Sequence, residues 1–406
     1  MPEWPRYTIG ELIENGAIQI HKDGNHGANY PRADDFGDQG LPFLTAKSLS
    51  EWQIDIENAP RLSEGKAASF RFGFIEQGDV LLSHNATVGR VGIVPSLKGR
   101  AVIGTSLTQF RLDRSKILPE FLAIYFSSRD FQNQLSFVMA QTTRNQVPIT
   151  AQRRLPVAVP DLATQSIISE TVFSFIRKME LNRRMNETLE AMARAIFRDW
   201  FVDFGPTRAK QEGREPYLAP EIWSLFPDRL DADGKPEGWN SKRVEDVLEL
   251  AYGKALTAGE RSEGDVPVYG SGGITGYHNK ALQEGPAIVV GRKGTVGSLY
   301  WEDRSIFPID TVFYVRSKVP LTFCFYLLQT LGLESMNTDA AVPGLNRNNV
   351  YRLTFAWGAD RLVNKFDISV TALRQKMRAN VEESRTLAAL RDLLLPKLMS
   401  GEVRVK

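Results

Sequence analysis

A single cysteine, Cys324, in 406 residues excludes an internal disulfide and suits a reducing compartment. Long apolar runs are missing too: none approaches the roughly 18 residues that a membrane span requires. The opening "MPEWPRYTIGELIENG" lacks the charged-then-apolar pattern of a secretory signal, so a soluble, cytoplasmic protein is expected. Nor does charge of one sign prevail. The chain has 50 Lys and Arg against 48 Asp and Glu, a net charge of +2, so any nucleic-acid surface must come from local clustering.

Catalytic motifs are equally scarce. "VYGSGGITGYHN" offers Gly270, Gly272, Gly273 and Gly276 without a helix pattern after them, and reads as a turn-forming loop rather than a nucleotide cradle. "GRKGT" at Gly291 lacks the full spacing of a phosphate loop. His21 and His26 in "HKDGNH" match no common zinc spacing and have no cysteine partners; His84 and His278 stand alone. The carboxylate pairs Asp34-Asp35 and Glu382-Glu383 adjoin ordinary polar sequence. No nucleophile–base set emerges, so no catalytic residue and no metal site is expected. The absence favours a binding protein.

What the chain does have is a repeat. With 42% hydrophobic residues it can pack two or three cores. "LLSHNATVGRVGIVP" is echoed by "IVVGRKGTVGSLYW", both reading as strand, polar loop, Thr-Val-Gly and strand, 208 residues apart. Each half opens near a Pro-Glu and Trp, in "PEWPRYTIGELIENG" and "PEGWNSKRVEDVLEL". Each then has an aromatic-rich helical run, "ILPEFLAIYFSS" and "PLTFCFYLLQT", and a Val-Pro turn, in "TRNQVPITAQRR" and "AVPGLNRNNVYR".

Each half ends in a long helix, Gln165 to about Phe201 and about Val363 to Met399. Spacing of 4-3-4-3 selects Ile168, Val172, Phe175, Met179, Asn182, Asn186, Leu189, Ala193, Ile196 and Trp200. An offset of 198 selects Phe366, Val370, Leu373, Met377, Asn380, Ser384, Leu387, Arg391, Leu394 and Leu398. That is a heptad seam with polar residues at the same two central positions. About 37 residues would make a rod of roughly 55 Å, and mutual packing is the simplest way to cover both seams. Antiparallel pairing would set Asn182 against Ser384 and Asn186 against Asn380, while Asn182 beside Asn380 would indicate a parallel pair.

The Gly-, Pro- and charge-rich stretch between the halves reads as a connector. The expected division is a globule over 1–160, a long helix over 161–205, a linker over 206–235, a second globule over 236–358 and a second long helix over 359–406. The fold class is α+β with an internal two-fold pseudo-repeat, in which two globules on a helical rod form a caliper.

In this order the segments resemble the specificity (S) subunit of type I restriction–modification systems. The likeness rests on the repeat, the Thr-Val-Gly hairpins, "AVPGLNRNNV", "RAIFRDWFVDFGPTRAK", "LFPDRL…KPEGW" and "LLLPKLMSGEVRV". "TRNQVPITAQRR" fits the pattern less closely than its partner in the second half. The resemblance implies two target-recognition domains, each reading one half of a bipartite double-stranded DNA site. It implies an antiparallel coiled coil that spaces them and docks two methyltransferase (M) subunits, with endonuclease/translocase (R) subunits joining the full complex. It leaves the chain without cofactors of its own: S-adenosylmethionine, ATP and Mg are expected on the partners.

Candidate DNA-reading residues are those able to meet base edges or phosphates. In the hairpins they are Ser83, His84, Asn85 and Arg90, then Arg292, Lys293 and Thr295. Their alternative role is in turn geometry. In the segments leading into the helices they are Arg144, Asn145, Gln146, Gln152, Arg153 and Arg154, then Asn346, Arg347, Asn348 and Asn349. Helix starts with basic neighbours suit phosphate, although Thr150 and Asn346 also read as ordinary caps. Arg177, Lys178, Arg183 and Arg184 make a basic band on the first long helix, either a solvated flank or a face toward DNA or a partner. Two alternatives in function remain: an assembly scaffold whose globules bind proteins, and an enzyme, for which the repeat leaves no room.

Overall fold

The computed structural model describes residues 4–25, 30–50, 52–141, 145–336 and 344–403. Arg144 and His26 lie outside them, as does the Val-Pro turn of the second half. The chain forms two units, Met1–Glu180 with Ser384–Lys406, and Leu181–Glu383. The division therefore cuts both long helices, Leu162–Phe201 and Asp360–Met399, so each unit owns one globule and two helix segments.

In the first unit the main sheet has the order Ile18–Asp23, Leu107–Leu112, Val80–Ser83, Val91–Ile93, antiparallel throughout. Val80–Ser83 is buried at every position, as befits a central strand covered on both faces, and reads as an apolar run rather than an alternation. A smaller sheet contains Leu41–Leu44, Val102–Ile103, Arg61–Leu62 and Phe36–Gly37. The helix Pro119–Ser127 carries Phe121, Tyr125 and Phe126 into the core, where Phe126 stacks on Phe131 at 4.3 Å. Arg6–Thr8 pairs antiparallel with Pro156–Ala158, closing the globule just before the long helix.

The second unit repeats this plan. Its main sheet runs Leu248–Tyr252, Val312–Ser317, Ala287–Gly291, Leu299–Glu302, again antiparallel. Asn240–Arg243 pairs with Thr354–Trp357 as the closing ribbon. The aromatic run forms the buried helix Leu321–Thr330. The glycine-rich "VYGSGGITGYHN" is a β-hairpin of Val266–Gly270 and Gly273–His278.

The glycines of the two Thr-Val-Gly loops are required by conformation. Gly89 has φ +94° and Gly297 φ +74°, a region costly for residues with a Cβ. Their amides donate to the carbonyls of Ser83 and Gly291 at 2.9 Å each, the same bond in both repeats.

The helices pack on their heptad seam. In the first unit Ile168 and Val172 share a core with Leu398, joined by Leu394 and Leu395. In the second, Ala193, Phe197 and Trp200 pack with Phe366 and Val370, with Ile196 and Leu373 at the margin. Of the other seam residues, Phe175, Met179, Leu189, Ser384, Leu387 and Arg391 are half-buried, and Met377 is buried. Within the second unit Asn186 meets Asn380, Glu190 meets Arg374 and Phe197 meets Phe366, so the segments run antiparallel.

The proposed sign of a parallel pair was too coarse. Asn182 also lies beside Asn380, donating from Nδ2 to its carbonyl at 3.3 Å and to Glu383 Oε2 at 2.8 Å. Asn380 sits between two residues one turn apart, so contact with Asn182 alone does not fix direction. The surrounding pairs do.

The segment between the halves is packed against the second unit. It contains the helices Gly205–Gln211 and Pro220–Trp223, and Phe226 meets Trp200 edge-on at 5.6 Å.

Candidate nucleic-acid interface

In each unit the hairpin loop and the segment leading into the helix, far apart in sequence, meet along one edge. In the second unit Leu345 N donates to Arg292 O at 2.8 Å, and Lys293 forms a β-bridge with Gly344. Arg292 N and Lys293 N both donate to Thr311 O. Asn346 caps the helix Arg347–Tyr351 by accepting from Asn348 N at 2.9 Å. Arg292, Lys293, Asn346, Arg347 and Asn348 are thereby gathered together. Thr295 is exposed in the same hairpin.

The first unit repeats the connection. Val147 N donates to His84 O at 2.8 Å and Asn85 bridges to Gln146. Asn145 Nδ2 donates to Ala86 O at 2.9 Å. Asn145 is exposed and Asn85 and Gln146 are half-buried at this edge. The nearby helix Ile149–Gln152 is capped by Pro148, which makes Thr150 an interior position rather than the cap.

Several candidates have structural duties. Ser83 is fully buried and its hydroxyl accepts from Arg90 N at 2.8 Å. Arg90 is exposed but directs Nη1 to the carbonyls of Ala46 and Leu49. Arg153 and Arg154 are exposed beyond the short helix, where Arg153 O accepts from Gly10 N.

His84 belongs to a buried polar chain that only the structure reveals. Its Nδ1 meets Thr108 Oγ1 at 2.9 Å, Gln152 Nε2 donates to the same oxygen at 2.9 Å, and Gln152 Oε1 meets His21 Nε2 at 3.2 Å. Burial holds the His21 imidazole down at about 4, so it is neutral at pH 7 and Nε2 carries the proton donated to Gln152. The chain pins hairpin, sheet and short helix together. Local pattern gives no sign of this burial: alternation from Ile18 and Ile20 would set His21 on the other face with Gln19, and the register shift at Arg111–Leu112 breaks that alternation.

Tyr252 was likewise missed. It ends the first strand of the second sheet, opposite Phe313, and lies 5.2 Å from the Arg292 guanidinium and 5.0 Å from that of Arg347. Among the described residues no group of His, Cys, Asp and Glu could hold a metal ion. Burial pushes the Cys324 thiol up to about 12, which makes it unreactive. No described helix is long and apolar enough to cross a membrane.

A duplicated α+β frame, each copy presenting a polar hairpin edge and each continuing into segments of the two long helices, defines a protein with two copies of one recognition frame. The chain belongs to the type I restriction modification DNA specificity domain family, whose model matches residues 1–191 and 236–353. It is similar to the type I restriction enzyme HindI specificity subunit of Haemophilus influenzae, 25% identical over 99% of this chain and 100% of that protein. It is similar also to the MjaIX specificity subunit of Methanocaldococcus jannaschii, 22% identical over 100% of this chain and 97% of the relative. The fold is shared with the crystal structure of a type I restriction–modification S subunit from M. genitalium, at TM-score 0.56, 18% identity and coverage of 97% and 96%. The specificity subunit is the non-catalytic component of such systems.

Proposed function

We propose that this specificity subunit reads a bipartite duplex-DNA site with one target-recognition domain per half-site, spanning residues 1–160 and 236–358. The observation that carries the reading is the recurrence of one backbone edge with unlike side chains: His84, Asn85, Asn145 and Gln146 in one unit, Arg292, Lys293, Asn346, Arg347 and Asn348 in the other. A common frame with different polar groups suits a site whose two halves differ in sequence.

The long helices dock two methyltransferase subunits. Away from the paired seam they expose Leu181, Met192, Ile368 and Val381 in the second unit, and Leu390 and Leu393 in the first. Methyl transfer, with its S-adenosylmethionine, belongs to those subunits; ATP and Mg belong to the endonuclease/translocase subunits of the full cytoplasmic complex. Methylome sequencing of cells carrying this chain with its methyltransferase partner tests the reading. A two-part motif with a fixed gap supports it. A methylated but gapless motif, or a complex with no sequence-dependent footprint, overturns it, and the latter favours a protein-binding scaffold.

A further inference from the structure

Tyr252 remains 49% exposed although its ring packs edge-on against Phe313, with centroids 5.0 Å apart. Two guanidinium groups from different segments converge on that ring. Arg292 arrives from the hairpin, its guanidinium carbon 5.2 Å from the ring centre, and Arg347 from the start of its helix, at 5.0 Å. Arg347 is further held by donation from Nη1 to Leu250 O at 3.5 Å and by the Tyr351 ring at 5.6 Å. The Nε atoms of both arginines are buried without a hydrogen-bond partner among the described residues. Neither side chain has a carboxylate partner among them.

Two half-buried cations converge on one aromatic ring, with no carboxylate partner among the described residues. The ring quadrupole offsets part of their mutual repulsion and desolvation, yet the positive charge stays available to an incoming acceptor.

The first unit shows what the same frame carries elsewhere. Its pairing places His84 where the second unit has Arg292, Thr108 where it has Phe313, Asp23 where it has Tyr252, and Ile149 where it has Arg347. There His84 and Thr108 are tied into an internal chain. The backbone recurs but the paired arginines do not. Phosphates are the same at every base pair, whereas base edges differ. A group that diverges on a shared frame fits base reading better than phosphate contact.

Resting on the proposed DNA-reading function, we propose that Arg292 and Arg347 form the base-reading pair of the second half-site and that Tyr252 is its positioning residue. The base is guanine, whose N7 and O6 offer the guanidinium fork two acceptors in the major groove.

The full chain is co-expressed with its methyltransferase subunits, the methylome is sequenced, and DNA binding by the purified complex is measured over a salt series. The wild type should require a guanine in the second half-site. R292K and R347K should each lower discrimination at a guanine by about 5- to 150-fold, leaving the first half-site unchanged. Y252A should relax the same positions and Y252F should restore them. A uniform loss of affinity with a shallower salt dependence would assign the arginines to phosphate and overturn the proposal. So would unchanged base preference, or Y252A altering melting temperature but not the motif. If the wild type yields no two-part motif, the functional reading itself fails, and this assignment with it.

Discussion

The side-chain amide of Asn380 donates to Oδ1 of Asn186 at 2.8 Å, while the Asn186 amide donates to the carbonyl of Met377 at 3.2 Å. A seam otherwise lined by Met377, Val370, Leu373, Ala193 and Ile196 thus contains polar groups that accept only a narrow set of partners. Apolar side chains could slide by a turn at little cost; these amides lose hydrogen bonds if they do.

Replacing Asn380 with Leu should destabilise the second unit by about 1 kcal/mol, because the half-buried Asn186 oxygen loses its donor. Replacing Asn182, Asn186 and Asn380 together with Leu should recover stability while weakening the preference for one register. Denaturant unfolding of the full chain measures the first effect and cysteine cross-linking across the helices the second. An uncosted single substitution would show that the amides are already satisfied by water.

The His21 imidazole gives the first unit a pH dependence of known sign. Burial lowers its pKa from the ordinary 6.5 to about 4, so its folded form resists protonation. The stabilisation is fully present above pH 6.5 and is lost as pH falls toward 4, about 3 kcal/mol across that window. H21Q should flatten this part of the stability profile, measured by thermal unfolding between pH 7 and 4. A variant with the wild-type slope would assign that slope to other groups.

The two Thr-Val-Gly glycines should tolerate alanine unequally. A Cβ at Gly297 would lie 2.4 Å from both Leu333 C and Glu334 N, which are backbone atoms that cannot step aside. At Gly89 the nearest atom is the side-chain oxygen of Gln132, at 2.3 Å, which can rotate away but gives up its Nε2 bond to Gly89 O. Both pay the left-handed cost of about 1–2 kcal/mol, and G297A should add about 1–3 kcal/mol of overpacking. Melting temperatures of the two variants decide the order; G89A being the worse would contradict the argument.

These contrasts mark where the sequence was legible. The heptad seam depends on local spacing, and Ile168, Val172, Phe366 and Val370 are buried where the 4-3-4-3 pattern sets them. The hairpins were readable for the same reason. The strand order was not: Leu107 pairs with Ser83 while Phe110 pairs with His21, and nothing local encodes those partners. Nothing local marks Tyr252: sheet register sets it beside Phe313, and the helix start brings Arg347 to it. The buried chain through Gln152 has no local signature because its members are polar and scattered, and only long-range packing removes them from water.

The closing ribbons determine where recognition domains can be exchanged. Arg6–Thr8 pairs with Pro156–Ala158, residue for residue, so a junction placed before Pro156 would pair one parent's first strand with the other's last. A junction between Ala158 and the long helix beginning at Leu162 keeps that ribbon whole. Exchanging residues 1–160 with those of a relative should therefore yield a stable chain that changes one half of the recognised site and retains the other. Ile168, Val172 and Leu398 remain from the original chain and contribute to the first core, so some loss of melting temperature is expected from imperfect packing. A junction at 155 should cost more stability than one at 160. Methylome sequencing of cells carrying the hybrid and the methyltransferase partner gives the readout: alteration of both half-sites would show that the globules do not read independently.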